Sequence, residues 1–278
     1  LIESSLKGDV EKRNDETLRA LGALSEEYRA RITRCDLSDS QITDGGLAEV
    51  AKFPNLTLLN LSGCRRITSN GLQVFKELPM LDTLLMERGI IDDANIDHLR
   101  VLPNLKVLSL SQSSITDAGI VRLSALTHLE ELHISSTSVN GSCFLKAPWF
   151  ASLRVLKANN TTVGQDVAVL RKFHNLEELD LYHAMVTDQT VVALKGSPKL
   201  RKLYLGDNRI SDLGAKQLTG LINMEDLSLG KTQVTDMCLP TFKVCKKLTH
   251  FGDGGTGITA AGRDYIKKIA PECTFDAR

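Results

Sequence analysis

The chain has 278 residues, 42% of them hydrophobic and 24% charged, the composition of a folded globular protein and not of a disordered one. Its 34 basic and 34 acidic residues cancel, so no cationic surplus favours nucleic acid as a partner. No apolar run approaches the ~18 residues needed to span a bilayer, so no membrane insertion is expected either.

The chain begins at Leu1 without a Met or an apolar leader, and its first dozen residues are polar. This reads as a processed or excised fragment with a solvated tail or linker. Asn14-Asp15, followed by Leu18, Leu21, Leu24 and Tyr28, predicts a capped amphipathic helix closing the segment 1–30.

From residue 31 a single pattern repeats. LKVLSLSQSSITDAGIVRLSALTH from Leu105, LRKLYLGDNRISDLGAKQLTGLIN from Leu200 and MEDLSLGKTQVTDMCLPTFKVCKK from Met224 align without gaps. The shared frame is L-x-x-L-x-L-x-x-T/N/S-x-I-T-D-x-G-L-x-x-L-x-x-L, and further copies begin at Ile32, Leu56, Leu81, Leu129, Leu153, Leu176 and Leu248. About ten units thus occupy residues 31–271. In each, alternating leucines predict a strand with one buried face. A turn follows, then a buried Ile or Val such as Ile115 or Val234. Thr-Asp next (Thr43-Asp44, Thr116-Asp117, Thr187-Asp188, Thr235-Asp236) is a helix N-cap signal. Leu and Val spaced three or four apart complete a short helix, and Pro54, Pro79, Pro103 and Pro198 stop it in one column.

No unit of this kind buries its own apolar side, but stacked copies do. The frame resembles the leucine-rich-repeat family, closest to its cysteine-containing and bacterial 24-residue types, over roughly residues 30–276. That resemblance implies a right-handed α/β solenoid, or horseshoe, with a concave parallel sheet and convex helices. It also implies a protein-binding module, not an enzyme, with the substrate-recognition part of a ubiquitin-ligase-type receptor or a bacterial effector as the alternative. No F-box-like stretch occurs in residues 1–30, so that alternative needs sequence outside this chain.

Repeats five and six break the frame. Asn140-Gly141 and Gly164-Gln165 stand where Thr-Asp is expected, and the sixth unit is a residue short. Pro148 precedes Trp149 and Phe150, which either form a convex docking knob or place Phe150 in the buried column with Trp149 covering it.

The tenth unit contains Phe251-GDGGTGITAAGRDYIK-Lys268, in which Gly252, Gly254 and Gly257 spell a dinucleotide-binding fingerprint between an apolar run and a helix. These glycines occupy the columns of Ser228, Gly230 and Gln233 in the preceding unit. The nucleotide reading therefore fails, and no cofactor is expected. Pro271 to Phe275 predicts a last short strand, with 272–278 as a C-terminal cap.

Cys35, Cys64, Cys143, Cys238, Cys245 and Cys273 show neither zinc-ligand spacing nor the density of a disulfide scaffold. Buried, reduced thiols are the expectation. They favour a reducing compartment, cytoplasmic for preference, with bacterial secretion as the other option.

Outward positions between the strand leucines hold the candidate site, since the core does not need them. His133, Lys157, Asp180, Tyr182, His183 and Tyr204 are expected within about 15 Å on neighbouring strands. Tyr and His amid mixed charge suit a protein-binding patch. The bland alternative is a solvated face with cross-strand pairing, such as Lys157 with Asp180. Leu85 with Leu58 and Arg88 is a second candidate. A metal held by His133, His183 and Asp180 is a remote third, and the shallow, open location argues against catalysis. A monomer is expected.

Overall fold

The computed structural model describes residues 14–146, 152–173, 175–195 and 197–276. They fall into two compact units, Leu1–Thr137 with Pro148–Ser152, and Ser138–Ala147 with Leu153–Arg278. The polar tail and the Trp149–Phe150 pair lie outside the described residues.

Both units are built from the predicted strand, turn and short helix. The first carries β1 (Arg34–Asp36), β2 (Leu58–Asn60), β3 (Thr83–Leu85), β4 (Val107–Ser109) and β5 (Glu131–His133). Each strand pairs in parallel with the next in sequence. The second carries β6 (Val155–Lys157), β7 (Glu178–Asp180), β8 (Lys202–Tyr204), β9 (Asp226–Ser228), β10 (His250–Gly252) and β11 (Thr274–Phe275), again parallel and in chain order. Register runs leucine to leucine, as between Leu84 and Leu108 or Leu179 and Leu203. These central side chains are fully buried. Burying one such leucine contributes roughly 1.5–3 kcal/mol, which no isolated unit could collect.

A left-handed residue ends the outward run of each strand. Asp39, Gly63, Arg88, Gln112 and Ser136 occupy this column in the first unit, and Asn160, His183, Asp207, Lys231 and Gly255 in the second, with φ between 49° and 73°. The amides of Asp39, Gly63, Arg88, Gln112, Asn160, His183, Asp207 and Lys231 pair with the neighbouring repeat, as in His183 N–H to the Gly206 carbonyl at 3.0 Å. That lateral bond holds non-glycine residues in a backbone region they otherwise visit rarely.

The far side of each repeat is shorter and tighter than an ordinary helix. Asp44–Val50, Asp117–Arg122 and Ala260–Ile269 are α-helical, whereas Gly71–Glu77, Ile96–Val101 and Asp236–Val244 are 3-10. Thr43, Thr116, Ser211, Thr235 and Thr259 cap these segments as expected, each hydroxyl accepting from an amide two or three residues on. In the short sixth repeat the cap moves two residues along: Asp166 accepts from the Ala168 amide at 2.7 Å.

The Asp of Thr-Asp does something a single repeat cannot reveal. Asp44 accepts both the amide and the hydroxyl of Thr68 in the following repeat, at 2.7 and 2.5 Å. Asp93 does the same to Thr116, Asp188 to Ser211, Asp212 to Thr235 and Asp236 to Thr259. At four of these five Asp residues the frame's Gly is the other half of the stitch, while Asp212 makes the same bonds to Thr235 with Cys238 in the Gly column. At Gly71, Gly119, Gly214 and Gly262 a Cβ would collide with the carboxylate arriving from the preceding repeat. Where that position carries Ser69 or Gln165 in place of Asp, the following repeat carries Asn95 or Thr190 in place of Gly.

The N-terminal segment uses the same stitch. The helix Asp15–Gly22 is capped by Asn14 and buries Leu18. Asp15 takes the Thr43 amide at 2.9 Å and its hydroxyl at 2.5 Å, and packs against Gly46. The cap is therefore half a repeat. It is shorter than the pattern predicts: the chain breaks at Ala23–Ser25 and turns again at Glu26–Arg29, leaving Tyr28 exposed. At the other end β11 pairs with β10 where the last short strand was expected.

Candidate functional site

The predicted site residues do not all share one unit. His133 ends β5 in the first unit, near Glu131 (3.9 Å). Lys157, Asp180, Tyr182, His183 and Tyr204 belong to the second, on β6, β7, β8 and the turns that follow β7.

Within that unit, parallel pairing fixes their relations. Lys157, Asp180 and Tyr204 form one row across β6, β7 and β8. The expected pairing of Lys157 with Asp180 is corrected by the geometry. The Lys157 ammonium lies 3.6 Å from Glu178, which also meets Lys202 at 3.2 Å, so one carboxylate bridges the two flanking strands. Asp180 is engaged elsewhere, accepting from the Tyr182 amide (3.0 Å) and the Asn159 side-chain amide (2.8 Å). Tyr204 donates to Asp226 Oδ2 at 2.8 Å. Burial, then that bond and the charge of Asp226, push the Tyr204 phenol up, so it stays a neutral donor at physiological pH.

Tyr182 lies over the strand side of the next repeat. A Cβ on Gly206 would come within 2.9 Å of its ring Cδ2, so the missing side chain at 206 is the space the ring fills. The phenol oxygen accepts from Lys231, two repeats along, at 3.1 Å. That bond raises the Lys231 pKa above its ordinary value. Beyond the ring an open groove of about 870 Å³ runs over Gly230, Gly254 and Gly255 towards Arg263 and Asp276. On its other side His183 meets Asp207 at 2.9 Å, both exposed, above a depression of about 300 Å³ that includes Gln165, Met185 and Arg209.

Two of the fingerprint glycines, Gly254 and Gly257, line the larger groove without the phosphate geometry. The left-handed residue of that turn is Gly255, not a fingerprint position. The following helix N-terminus is already filled by the Thr259 hydroxyl, and Asp236 lies on the Thr259 amide at 2.9 Å. A phosphate there would face that carboxylate. Among the described residues, no group of three or more His, Cys, Asp or Glu side chains is placed to hold a metal ion. None of the described helices is long and apolar enough to cross a membrane.

The column missed in the sequence is the first outward position of each strand: Glu178, Lys202 and Asp226. It supplies the partners of Lys157 and Tyr204. The period-2 rule applied one residue earlier would have found it. Beside it runs a ladder of two bidentate pairs, Arg154 with Glu177 and Arg201 with Glu225. Arg154 and Arg201 hold the two glutamates below the usual carboxylate range.

A leucine-rich-repeat family model matches residues 54–76, 101–124 and 196–218, ranges that include β2, β4 and β8 respectively. The chain is a leucine-rich-repeat protein. No curated protein sequence matches this leucine-rich-repeat chain. Its fold is similar to that in a crystal structure of a TLR13–ssRNA13 complex, with a TM-score of 0.59 and 17% identity over 85% of this chain. It spans only 41% of that protein. An internalin (InlF) of Listeria monocytogenes is 16% identical over 100% of this chain and 97% of its own, with a TM-score of 0.47. A leucine-rich-repeat protein of Leptospira interrogans is 16% identical over 91% and 81%, with a TM-score of 0.48.

Proposed function

We propose that this protein is a binding module that recognises a protein partner on the open face of its repeat sheet, with the centre of recognition in the second unit. The observation that carries this reading is the seating of Tyr182. Its ring lies on a bare glycine, its hydroxyl is anchored by Lys231, and its outer face is left to the groove. An aromatic side chain whose rotamer is already fixed loses little entropy on docking, which is the property of an interface anchor. Tyr204 is held in the same way by Asp226, one strand away. Lys157, Asp180 and His183 supply the polar surround, and Glu178 and Lys202 extend it.

Most of these charges are satisfied by each other, so binding at the patch exchanges few free ions. Specificity would come from shape and from the fixed tyrosines more than from net charge. The test is site-directed photo-crosslinking. A benzoylphenylalanine at position 182 or 204 should trap a partner from the native source, whereas the same probe at Leu213 or Met237, exposed on the helical side, should not. Adducts only from the helical positions would overturn the reading.

A further inference from the structure

A second surface, independent of the tyrosine patch, lies wholly in the first unit. Four aliphatic residues occupy outward positions on the described strands: Leu58, Leu85, Val107 and Val155. Three of them sit together around β3. Leu58 and Val107 flank Thr83 in register on either side, and Leu85 is the next outward residue of β3 itself. Neighbouring strands lie about 4.8 Å apart and diagonal pairs ~7–8 Å, so the three make a continuous apolar chevron. The core does not require them, because each repeat's inward leucines are already fully buried. A lone leucine on a wet face needs no explanation, but a contiguous set on a surface otherwise polar does.

Three carboxylates and one arginine border the chevron, the arginine being Arg34, the register partner of Leu58 on β1. Asp82 precedes Thr83 on the same segment, Glu87 follows Leu85, and Glu131 is the register partner of Val107. Among the described residues none of the three carboxylates has a lysine or arginine within ion-pair distance. Asp82 accepts from the Thr83 hydroxyl, Glu87 from Ser109 at 2.7 Å, and Glu131 has only His133 at 3.9 Å. Arg88, the cation nearest in sequence, is taken by Asp39 at 3.1 Å. Lys106 forms no ion pair with any of them. The second unit differs: there Glu177, Glu178 and Glu225 all hold cations.

We propose that the open face of the first unit docks a basic segment of a protein partner, with an apolar side chain seated on Leu58, Leu85 and Val107. Flanking lysine or arginine residues would meet Glu87, Glu131 and Asp82. Apolar burial supplies the affinity, while the uncompensated carboxylates choose the partner's charge.

The test selects binders from a displayed random-peptide library on the intact chain. Parallel selections use Leu85→Ser, the Glu87→Lys/Glu131→Lys pair, and Tyr182→Ala/Tyr204→Ala, each confirmed to melt within a few degrees of wild type. Wild type should enrich peptides in which an aliphatic or aromatic residue is flanked by Lys or Arg. One enriched peptide, synthesised, should bind about tenfold or more weakly to Leu85→Ser and to the charge-reversed pair. It should retain its affinity for the tyrosine variant and weaken as salt rises from ~50 to ~500 mM. Acidic or uncharged consensus peptides, no enrichment on wild type, or equal binding to Leu85→Ser would overturn the proposal. Loss on the tyrosine variant alone would assign the binding to the second unit and overturn it as well.

Discussion

The carboxylate of Asp188 rests against the Cα of Gly214, one repeat later, while its oxygens take the Ser211 amide and hydroxyl at 2.8 and 2.5 Å. Stitches of this form recur in both units. They give Thr-Asp-x-Gly a meaning as a bond between repeats as well as a helix start.

The first prediction concerns the sign of a glycine substitution. In an exposed helix, Gly→Ala usually stabilises by up to ~1 kcal/mol. Gly214→Ala should instead destabilise by about 1–3 kcal/mol, because its Cβ meets the Asp188 carboxylate. Asp188→Ala should cost a similar amount through the lost bonds to Ser211. In the double variant the Gly214→Ala penalty should shrink, leaving only the contact of the new Cβ with the Cα of residue 188, and denaturant melts of the four proteins measure that coupling. Additive losses would show that Asp188 and Gly214 do not act together.

Acid should loosen the N-terminal cap first. Burial alone would raise the Asp15 carboxyl, but the Thr43 hydroxyl and amide outweigh it and hold it below its ordinary value. A depressed carboxyl contributes stability that is full above the unfolded value of ~3.9 and fades as pH falls through the lower folded value. Hydrogen exchange over Asp15–Gly22 should therefore accelerate as pH drops below about 4, beyond the intrinsic pH dependence of exchange. Asp15→Asn should exchange fast at neutral pH and lose that acid step.

The cysteines should be silent in the folded state. All six are buried and none is in a disulfide. Burial pushes Cys245 and Cys273 up to about 11, and burial with the adjacent Asp212 pushes Cys238 up to about 12. At pH 8 a thiol of that kind is ionised on the order of one part in a thousand. An aromatic disulfide reagent should label essentially none of the six before denaturation and all of them after. Rapid labelling of a native thiol would contradict the packing.

The ion-pair ladder should matter little to stability. Arg154–Glu177 and Arg201–Glu225 are bidentate but roughly half-exposed on the arginine side. Exposed pairs add little, so Arg201→Ala should leave the denaturant midpoint almost unchanged. A larger loss would mean that the open face helps hold the repeats together.

Much of the fold was legible in the sequence, because a leucine period of about 24 residues dictates which side chains face inward. The N-caps were legible too, since Thr43 and Thr116 bond to amides two residues away. The stitches were not, as Asp44 and Thr68 meet only once the repeats are stacked. The cap helix was overextended for the converse reason. The spacing of Leu18, Leu21, Leu24 and Tyr28 fits one helix, yet only Leu18 finds a core to enter. At the candidate site, Tyr182 and Tyr204 were found by residue type. Their partners Lys231 and Asp226 lie about two repeats and one repeat away, and Gly206 is the seat of the Tyr182 ring.

The central claim is that the tyrosine patch of the second unit binds a protein, and quantitative capture from the native source tests it most directly. Wild type is compared with Tyr182→Ala/Tyr204→Ala of equal melting temperature, both immobilised and followed by mass spectrometry. The account predicts a partner retained by wild type and depleted at least tenfold on the variant, the effect of losing ~1.4 kcal/mol or more at the anchors. Equal recovery of every captured protein on the two would contradict it.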